Sequence, residues 1–303
     1  MKTIKPNILK KWDRVCLVSP ASTPTQESVN HTKKILESWW LKVEIWKHVF
    51  DTHWYLAGID EDRLSDFNTA LRDREIKAII ATRGWKWAYR IADKLDFKVA
   101  KLNPKLIIGF SEISILHLSL YKNIKLIWIH GAPYNTWSWL PEAEPIYNVI
   151  MWKSDIIVES NSIESTSSLT TRWKAEWILL WWNLDMISTS AGWCLPNLNN
   201  CILFIEAIWM WLGQVDRQLT MLINSGYLEW VKAVAIGQFT NFNTHPSGYS
   251  IIDVLNDRLW KLNIPILWWL PIGHWKKPIS IPIGTMAYLD ADNKRLTIES
   301  WVK

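Results

Sequence analysis

The sequence is poor in glycine and cysteine. Its 303 residues include 11 glycines, whereas an average composition of about 7% would give roughly 21. The three cysteines, Cys16, Cys194 and Cys201, have none of the spacings that bind zinc, and an odd number does not suggest a disulfide framework. We therefore expect no metal site and a reducing, cytoplasmic environment.

Long apolar runs and blocks of like charge are also missing. No stretch of 18 or more apolar residues occurs, and residues 1–20 lack the apolar core of a signal peptide. The net charge is +5, but basic and acidic residues share the same segments and no Lys/Arg run stands out. P-loop, HExxH and complete GxGxxG motifs do not occur. These absences predict no membrane span, no nucleic-acid partner and no cofactor.

Tryptophan, by contrast, is in excess, with 24 residues. Trp12 lies in a polar, turn-like segment, Trp275 follows Gly273 and His274, and adjacent pairs occur at Trp39-Trp40, Trp181-Trp182 and Trp268-Trp269. Several of these are places where the backbone favours glycine, which tolerates positive φ. Some bacteria read the UGA codon as glycine and others as tryptophan. We therefore hypothesise that many of these residues are glycine in the living cell; the alternative is a protein that is truly rich in tryptophan.

The first half of the chain alternates between strand and helix patterns. Apolar, β-branched runs predict buried strands, and amphipathic stretches between them predict helices. The predicted strands are 14–20, 41–45, 77–82 and 105–110, and the predicted helices are 28–39, 60–74, 87–95 and 113–121. Such alternation is typical of a parallel sheet covered by helices.

A Ser/Thr-rich stretch at 161–171 predicts a linker between two domains. We place an N-terminal α/β domain at 1–160, the linker at 161–175 and a C-terminal domain at 176–303. The second half has predicted strands at 201–206, 233–239, 264–267 and 281–289, and a helix at 213–225 closed by Gly226. The fold class is therefore α/β, with an N-terminal parallel-sheet domain and a smaller, β-rich α/β domain.

The sharpest local feature is the segment from Ile107 to Ile113, in which a buried strand ends, Ser111 follows and a helix begins. A strand–turn–helix of this kind exposes a serine hydroxyl above the sheet edge and aims backbone N–H groups at the same space. The pattern is half of G-x-S-x-G, because Ile113 stands at the second glycine. The alternative is an ordinary N-cap serine.

A nucleophilic serine needs a base and a group that orients the base. His274, beside Gly273 at the end of a strand, is a candidate base or an ordinary structural histidine. Glu206 ends an apolar run, where a buried carboxylate needs a partner; the alternative is an acid at a helix N-terminus. His130 either lines a pocket or is a structural residue at a strand end.

Taken together, these segments resemble the LD-carboxypeptidase family of serine peptidases, which includes the microcin C immunity-type peptidases. The resemblance runs along nearly the whole chain and rests on several segments: KKWDRVCLVSPAS, YLAGIDEDRLSDFNTALRD, ATRGWKWAYR, IIGFSEISILH, WWNLDMI, CILFIEAI and LPIGHWKKPISIPIG. Tryptophan repeatedly stands where the family has glycine, at Trp12, Trp85, Trp87, Trp181 and Trp182.

The resemblance implies a Ser–His–Glu triad in which Ser111 is the nucleophile, Glu206 the acid and His274 the base. The serine would come from the N-terminal domain and the other two residues from the C-terminal domain. We expect the backbone N–H of Glu112 to be one oxyanion donor, and the resemblance supplies Trp85 as the other. Gly84, Asn183 and His130 are the expected substrate-binding residues.

The implied activity is hydrolysis of an L,D-peptide bond, releasing the terminal D-amino acid from murein tetrapeptides without a cofactor. Two alternatives stay open: an immunity-type peptidase that cleaves peptidyl or aminoacyl nucleotides, and a non-catalytic peptide-binding module. The expected partner is a small peptide or peptide-nucleotide, and the family resemblance implies a homodimer.

Overall fold

The computed structural model describes residues 2–85, 87–133, 144–160, 166, 169–240, 242, 248–274 and 278–301. The chain forms two compact units, the first comprising Met1–Ser154, Ser280–Gly284 and Ser300–Lys303, and the second comprising Asp155–Ile279 and Thr285–Glu299. Trp275 and most of the Ser/Thr-rich stretch lie outside the described residues.

The elements follow one another along the chain as alternating strands and helices. The strands are β1 (Arg14–Val18), β2 (Lys42–Ile45), β3 (Ile76–Ala81), β4 (Leu106–Gly109), β5 (Trp128–His130), β6 (Ile156–Glu159), β7 (Lys174–Asn183), β8 (Cys201–Ile208), β9 (Ala233–Thr240), β10 (Ile266–Leu267), β11 (Ile281–Ile283), β12 (Met286–Asp290) and β13 (Arg295–Ile298). The α-helices are α1 (Gln26–Ser38), α2 (Asp60–Arg72), α3 (Tyr89–Ala92), α4 (Phe97–Leu102), α5 (Ser114–Ile124), α6 (Glu144–Met151), α7 (Leu184–Ser190), α8 (Leu212–Asn224) and α9 (Ile251–Leu259).

The first unit is built on a six-stranded sheet in the order β11-β5-β4-β3-β1-β2. All neighbouring pairs are parallel except β11 and β5, which are antiparallel. The runs in β1 and β4 are almost entirely buried, as expected for parallel strands covered on both faces. Because parallel strands end at one edge, the loops that follow β1, β3, β4 and β5 are brought to the same side of the sheet.

The second unit is built on a seven-stranded sheet in the order β10-β9-β8-β7-β12-β13-β6. The strands from β10 to β7 are parallel, and those from β7 to β6 are antiparallel. The two sheets confirm the predicted α/β class, with a parallel sheet in one part and a β-rich mixed sheet in the other. Among the described residues, no helix has the length and apolar character needed to cross a membrane.

Two predicted elements were wrong in extent. The strand predicted at 281–289 is two strands, β11 in the first sheet and β12 in the second, because the chain turns at Gly284, where φ is +92°. The helix predicted at 87–95 is reduced to the four residues of α3. The predicted domain limits also differ from the compact units: β7 begins at Lys174, inside the predicted linker, and the first unit includes two segments from the end of the chain.

The backbone has an unusual set of left-handed residues. Among the residues that the structure describes, thirteen non-glycine residues have positive φ, and eight of them are tryptophan: Trp12, Trp40, Trp54, Trp85, Trp87, Trp173, Trp209 and Trp269. A side chain with a Cβ clashes with its own backbone in this region, at a cost of roughly 1–2 kcal/mol per residue. Bulky residues are genuine outliers there. The backbone at these positions therefore favours glycine, although tryptophan occupies them.

Replacing one of these tryptophans by glycine should therefore stabilise the protein. Trp173 has φ +83° and is 55% exposed, so Trp173→Gly removes strain while giving up little buried surface. We expect a gain of about 1 kcal/mol in the free energy of unfolding, measured from urea transitions. Trp260 is the matched control, because it is 66% exposed in the same unit but has φ −52°. There, glycine should lower stability by about 0.5–1 kcal/mol. A loss at both positions would contradict the strain argument.

Candidate active site

Ser111 lies at the turn between β4 and α5. The strand is apolar and buried up to Gly109, and a single 3-10 turn, Ser111–Ile113, leads directly into the helix. Ser111 itself has φ +60°, a strained conformation for a residue other than glycine. Strain of this kind is found at the nucleophile of strand–turn–helix hydrolases, because the sharp turn lifts the hydroxyl clear of the sheet. The geometry thus matches a nucleophile better than an ordinary N-cap, for which positive φ is not needed.

The loop after β3 lies directly against this turn. A Cβ added to Gly84 would come within 3.0 Å of the Phe110 carbonyl oxygen, 3.2 Å of the Ser111 Cβ and 3.4 Å of the Glu112 backbone nitrogen. Glycine is therefore the residue that fits this close approach. The contact brings the loop carrying Trp85, where φ is +85°, beside the nucleophile segment, so both predicted oxyanion donors belong to neighbouring loops of the first unit.

His130 ends β5, the strand next to β4, which leads to Ser111. It pairs in register with Gly109, and its ring centroid lies 5.4 Å from that of Phe110. The side chain is buried, with 1% exposure. These contacts place His130 beside the segment that leads to Ser111, where it could help to shape the site.

Burial argues against His117 and two of the cysteines as reactive groups. Burial lowers the pKa of His117 to about 3, so its imidazole is neutral and a poor proton acceptor at neutral pH. Burial also raises the pKa of the Cys16 and Cys201 thiols, which keeps them from forming reactive thiolates. Ser111 is left as the stronger candidate for nucleophilic chemistry.

The second unit holds a buried carboxylate–imidazole pair. Glu206 lies on β8 with no exposed surface, and its Oε2 accepts a hydrogen bond from His274 Nδ1 at 2.7 Å and another from the His274 backbone N–H at 3.3 Å. The Thr240 hydroxyl donates to the His274 carbonyl at 3.1 Å. The bond to Glu206 fixes the neutral imidazole as the tautomer protonated on Nδ1, which is the arrangement a general base requires.

Gly273 allows this pair to form. Its φ is +103°, and a Cβ added there would lie 2.8 Å from the Glu206 Cγ. Any larger residue would collide with the carboxylate side chain and would be strained in the left-handed region. The Glu206 side chain therefore explains, on steric grounds, why glycine stands before His274.

Asn183 completes the surroundings of the carboxylate. It ends β7 in register with Glu206 on β8, and its Nδ2 donates to the Glu206 Oε1 at 2.8 Å. Its Oδ1 accepts the Asp185 backbone N–H at 3.1 Å and caps α7. Both ends of the amide are thus engaged within the protein, which favours a role in holding Glu206. Sequence reasoning expected a substrate contact and missed this role, since only the strand register reveals it.

The predicted site residues fall into two groups. The first unit brings together Gly84, Trp85, Ser111, Glu112 and His130, and the second brings together Asn183, Glu206 and His274. In each unit the group stands where parallel strands end, which is where α/β folds place ligands. A serine at a strained turn in one unit and a buried carboxylate–imidazole pair in the other are residue types that serine hydrolases use.

Two family models match the sequence, one in each half of the chain. Residues 15–131 match the LD-carboxypeptidase N-terminal domain, and residues 182–289 match the LD-carboxypeptidase C-terminal domain. A probable murein peptide carboxypeptidase of Bacillus subtilis is 31% identical over 303 residues, covering 98% of this chain and 95% of the relative. The chain belongs to the LD-carboxypeptidase family and is a hydrolase of the carboxypeptidase class, which confirms the resemblance found in the sequence.

Solved structures share the fold. A muramoyltetrapeptide carboxypeptidase from Oxalobacter formigenes superposes with a TM-score of 0.83 at 24% identity, covering 96% of this chain and all of that one. The microcin C7 self-immunity protein MccF, in complex with aspartyl sulfamoyl adenosine, gives a TM-score of 0.86 at 22% identity, covering 99% of this chain and all of that one. At these identities the similarity establishes the two-domain architecture.

The Asn183–Glu206 contact predicts a large penalty for a small change. Asn183→Asp keeps an oxygen to cap α7 but replaces the donor facing Glu206 with a second carboxylate. We expect the free energy of unfolding to fall by about 3 kcal/mol in urea titrations, because a buried charge loses its donor and gains a like charge. Asn197→Asp is the matched control: its exposed amide oxygen also accepts a backbone N–H two residues on. Equal stability of the two variants would refute the contact.

Proposed function

We propose that this protein is a serine LD-carboxypeptidase that removes the terminal D-amino acid from murein tetrapeptides, with Ser111, Glu206 and His274 as its triad. The observation that carries the proposal is the buried hydrogen bond of 2.7 Å between the Glu206 carboxylate and His274 Nδ1. A fully buried carboxylate is costly unless it is paired, and a pair with this geometry is what orients a catalytic imidazole.

The proposed mechanism begins with proton transfer. With Nδ1 held by Glu206, Nε2 of His274 accepts the Ser111 hydroxyl proton while the oxygen attacks the carbonyl carbon of the scissile bond. Glu206 stabilises the imidazolium that forms. The imidazolium then protonates the leaving amine, the D-amino acid departs, and the remaining peptide stays attached to Ser111 as an ester. Water, activated by the same imidazole, hydrolyses that ester and restores the free serine.

Two backbone N–H groups would stabilise the oxyanion of each tetrahedral intermediate. Glu112 follows the nucleophile, and Trp85 belongs to the loop packed on the Ser111 turn through Gly84. Each such donor contributes roughly 3–4 kcal/mol to transition-state stabilisation. Gly84 and His130 would then shape the space around the reacting carbonyl, while Asn183 would act on substrate through Glu206.

A second candidate function is cleavage of an aminoacyl or peptidyl nucleotide. It is favoured by the match to the microcin C7 self-immunity protein, whose solved structure holds aspartyl sulfamoyl adenosine and covers nearly all of this chain. The same serine chemistry serves both substrates, so the difference lies in which group each binding site accepts. The homodimer and the cytoplasmic location expected from the sequence remain predictions.

The decisive experiment measures D-alanine released from a murein tetrapeptide. The protein would be used as given and also with glycine at Trp12, Trp85, Trp87, Trp181 and Trp182. Release should be lost in Ser111→Ala, because no nucleophile remains. It should fall about 10⁴-fold in kcat in Glu206→Gln, because an amide stabilises the wrong tautomer and no longer balances the imidazolium.

Ser114→Ala is the matched control for the nucleophile variant. This second serine of the same turn is fully buried, and its hydroxyl has no hydrogen-bond partner among the described residues, so activity should persist. Hydrolysis of an aminoacyl sulfamoyl adenosine by the same samples, without D-alanine release, would move the second candidate to the front. Release that survives Ser111→Ala would overturn the proposed triad.

A further inference from the structure

A fully buried arginine lies beneath the loop that packs on Ser111. Arg63, in the first turn of α2, has no exposed side-chain surface and pairs with Asp60. Its Nη1 donates to two backbone carbonyls, that of Pro20 at 2.7 Å and that of Trp87 at 3.2 Å. Pro20 lies in the loop after β1 and Trp87 in the loop after β3. One guanidinium therefore joins two loops at the carboxyl edge of the sheet.

Further bonds join the same two loops. The Ser22 backbone N–H donates to the Gly84 carbonyl at 3.3 Å, and Arg83 donates to the Thr23 carbonyl at 2.8 Å. The carboxylate of Glu112 also accepts the Ala88 backbone N–H at 3.1 Å. The backbone at Trp87 and Ala88 is thus held by both Arg63 and Glu112, the residue that follows Ser111.

Burying the charged guanidinium of Arg63 costs free energy, which suggests that its hydrogen bonds to the loops serve a function. Burial lowers the pKa of Arg63 while Asp60 opposes that shift, so the guanidinium is kept charged by its partner in a place where water is excluded. Hydrogen bonds from a charged donor are roughly twice as strong as neutral ones. Because these bonds go to backbone carbonyls of the loops, they fix the position of those carbonyls and of the backbone that carries Trp85.

We infer that Arg63 is a positioning residue that holds the oxyanion-forming backbone of the loop after β3 against Ser111. This inference rests on the proposed function. A misplacement of about 1 Å in such a group can lower the rate about 100-fold. Arg63→Met should therefore lower kcat on the order of 100-fold while leaving KM within about twofold, because ground-state binding does not use the oxyanion donors.

The test compares Arg63→Met and Arg63→Lys with a matched control, Arg90→Met. Arg90 also pairs with Asp60, at 2.8 Å, but is 46% exposed, and its Nε donates to the Asp60 carboxylate. Rates are expressed per Ser111 that can be labelled by a fluorophosphonate, so that unfolded protein does not count. Arg63→Lys keeps a cation beneath the loop and should recover part of kcat; Arg90→Met should change it little. Unfolding in urea checks each variant's stability.

Hydrogen exchange of the peptide spanning residues 83–90 gives a second readout that needs no catalysis. Arg63→Met should speed exchange in this peptide at least tenfold, while Arg90→Met should not, since local opening sets these rates. Unchanged exchange, or an unchanged kcat per labelled serine, would overturn the inference. An inactive parent protein with Arg63-dependent exchange would sink the proposed function but leave the positioning role standing.

The left-handed tryptophans carry a second, independent inference. Tryptophan makes up 24 of 303 residues, but within the described part of the chain it accounts for eight of the thirteen non-glycine residues with positive φ. Six of those eight are largely exposed, at 48–77%: Trp12, Trp40, Trp54, Trp85, Trp173 and Trp209. Their rings are not buried in the core, so burial of apolar surface does not compensate for the backbone strain. Eight such positions together approach the whole stability of a typical domain, about 5–15 kcal/mol.

Trp40 shows the requirement most clearly. It follows α1 with φ +66°, its N–H donates to the Glu37 carbonyl at 3.0 Å, and the next N–H, of Leu41, donates to the Leu36 carbonyl at 3.3 Å. These two bonds define a Schellman motif, whose left-handed residue is usually glycine. The helix ending is thus built for glycine, although tryptophan occupies the position.

We propose that the natural protein has glycine at these eight positions, because its gene encodes glycine there with UGA. The test is the coding sequence, read together with peptide mass spectrometry of the protein isolated from its source. UGA codons and glycine-containing peptides at the eight positions are expected. UGG codons, or tryptophan in the natural peptides, would overturn the proposal.

Discussion

A carboxylate with no exposed surface must be surrounded by donors, and in the second unit this requirement explains much of the local structure. Glu206 stands near the end of β8, and the β7–β8 register places Asn183 beside it. The left-handed Gly273 lets the following backbone N–H and imidazole reach the same carboxylate oxygen. A change in the register, in the glycine or in the amide would remove a partner from the buried carboxylate.

In the first unit, the feature that needs support is the strained turn at Ser111, and the loops packed around it supply that support. Ser111 occupies a strained turn, and strain persists only where the surroundings over-determine it. Those surroundings are the close approach of Gly84 on one side and the helix that begins at Ser114 on the other. The guanidinium of Arg63 adds charge-assisted bonds to the loop carbonyls. Ser111 thus stands just beyond the end of a rigid strand, and the buried Arg63 guanidinium fixes the loops beside it.

The sequence predicted the parts that depend on local pattern. Near-continuous apolar runs revealed β1 and β4, and the strand–turn–helix around Ser111 was visible for the same reason. It could not reveal the Asn183–Glu206 contact, which depends on how two strands align, or the return of Ser280–Gly284 to the first sheet, which depends on long-range pairing. The predicted strand at 281–289 failed because it was read through Gly284, where the chain turns from the first sheet into the second.

The shortage of glycine and the excess of tryptophan have one structural explanation. Loops at the carboxyl edge must turn sharply and approach one another closely, and both demands favour a residue without a Cβ. Gly84 and Gly273 meet them beside Ser111 and Glu206, whereas the neighbouring turns at Trp85 and Trp209 have left-handed backbones under indole rings. A fold that favours glycine at all of these turns, yet carries tryptophan at some of them, is more simply explained by UGA codons read as glycine than by selection for tryptophan. Strain at a nucleophile can serve chemistry, but strain spread over exposed turns in both units serves none.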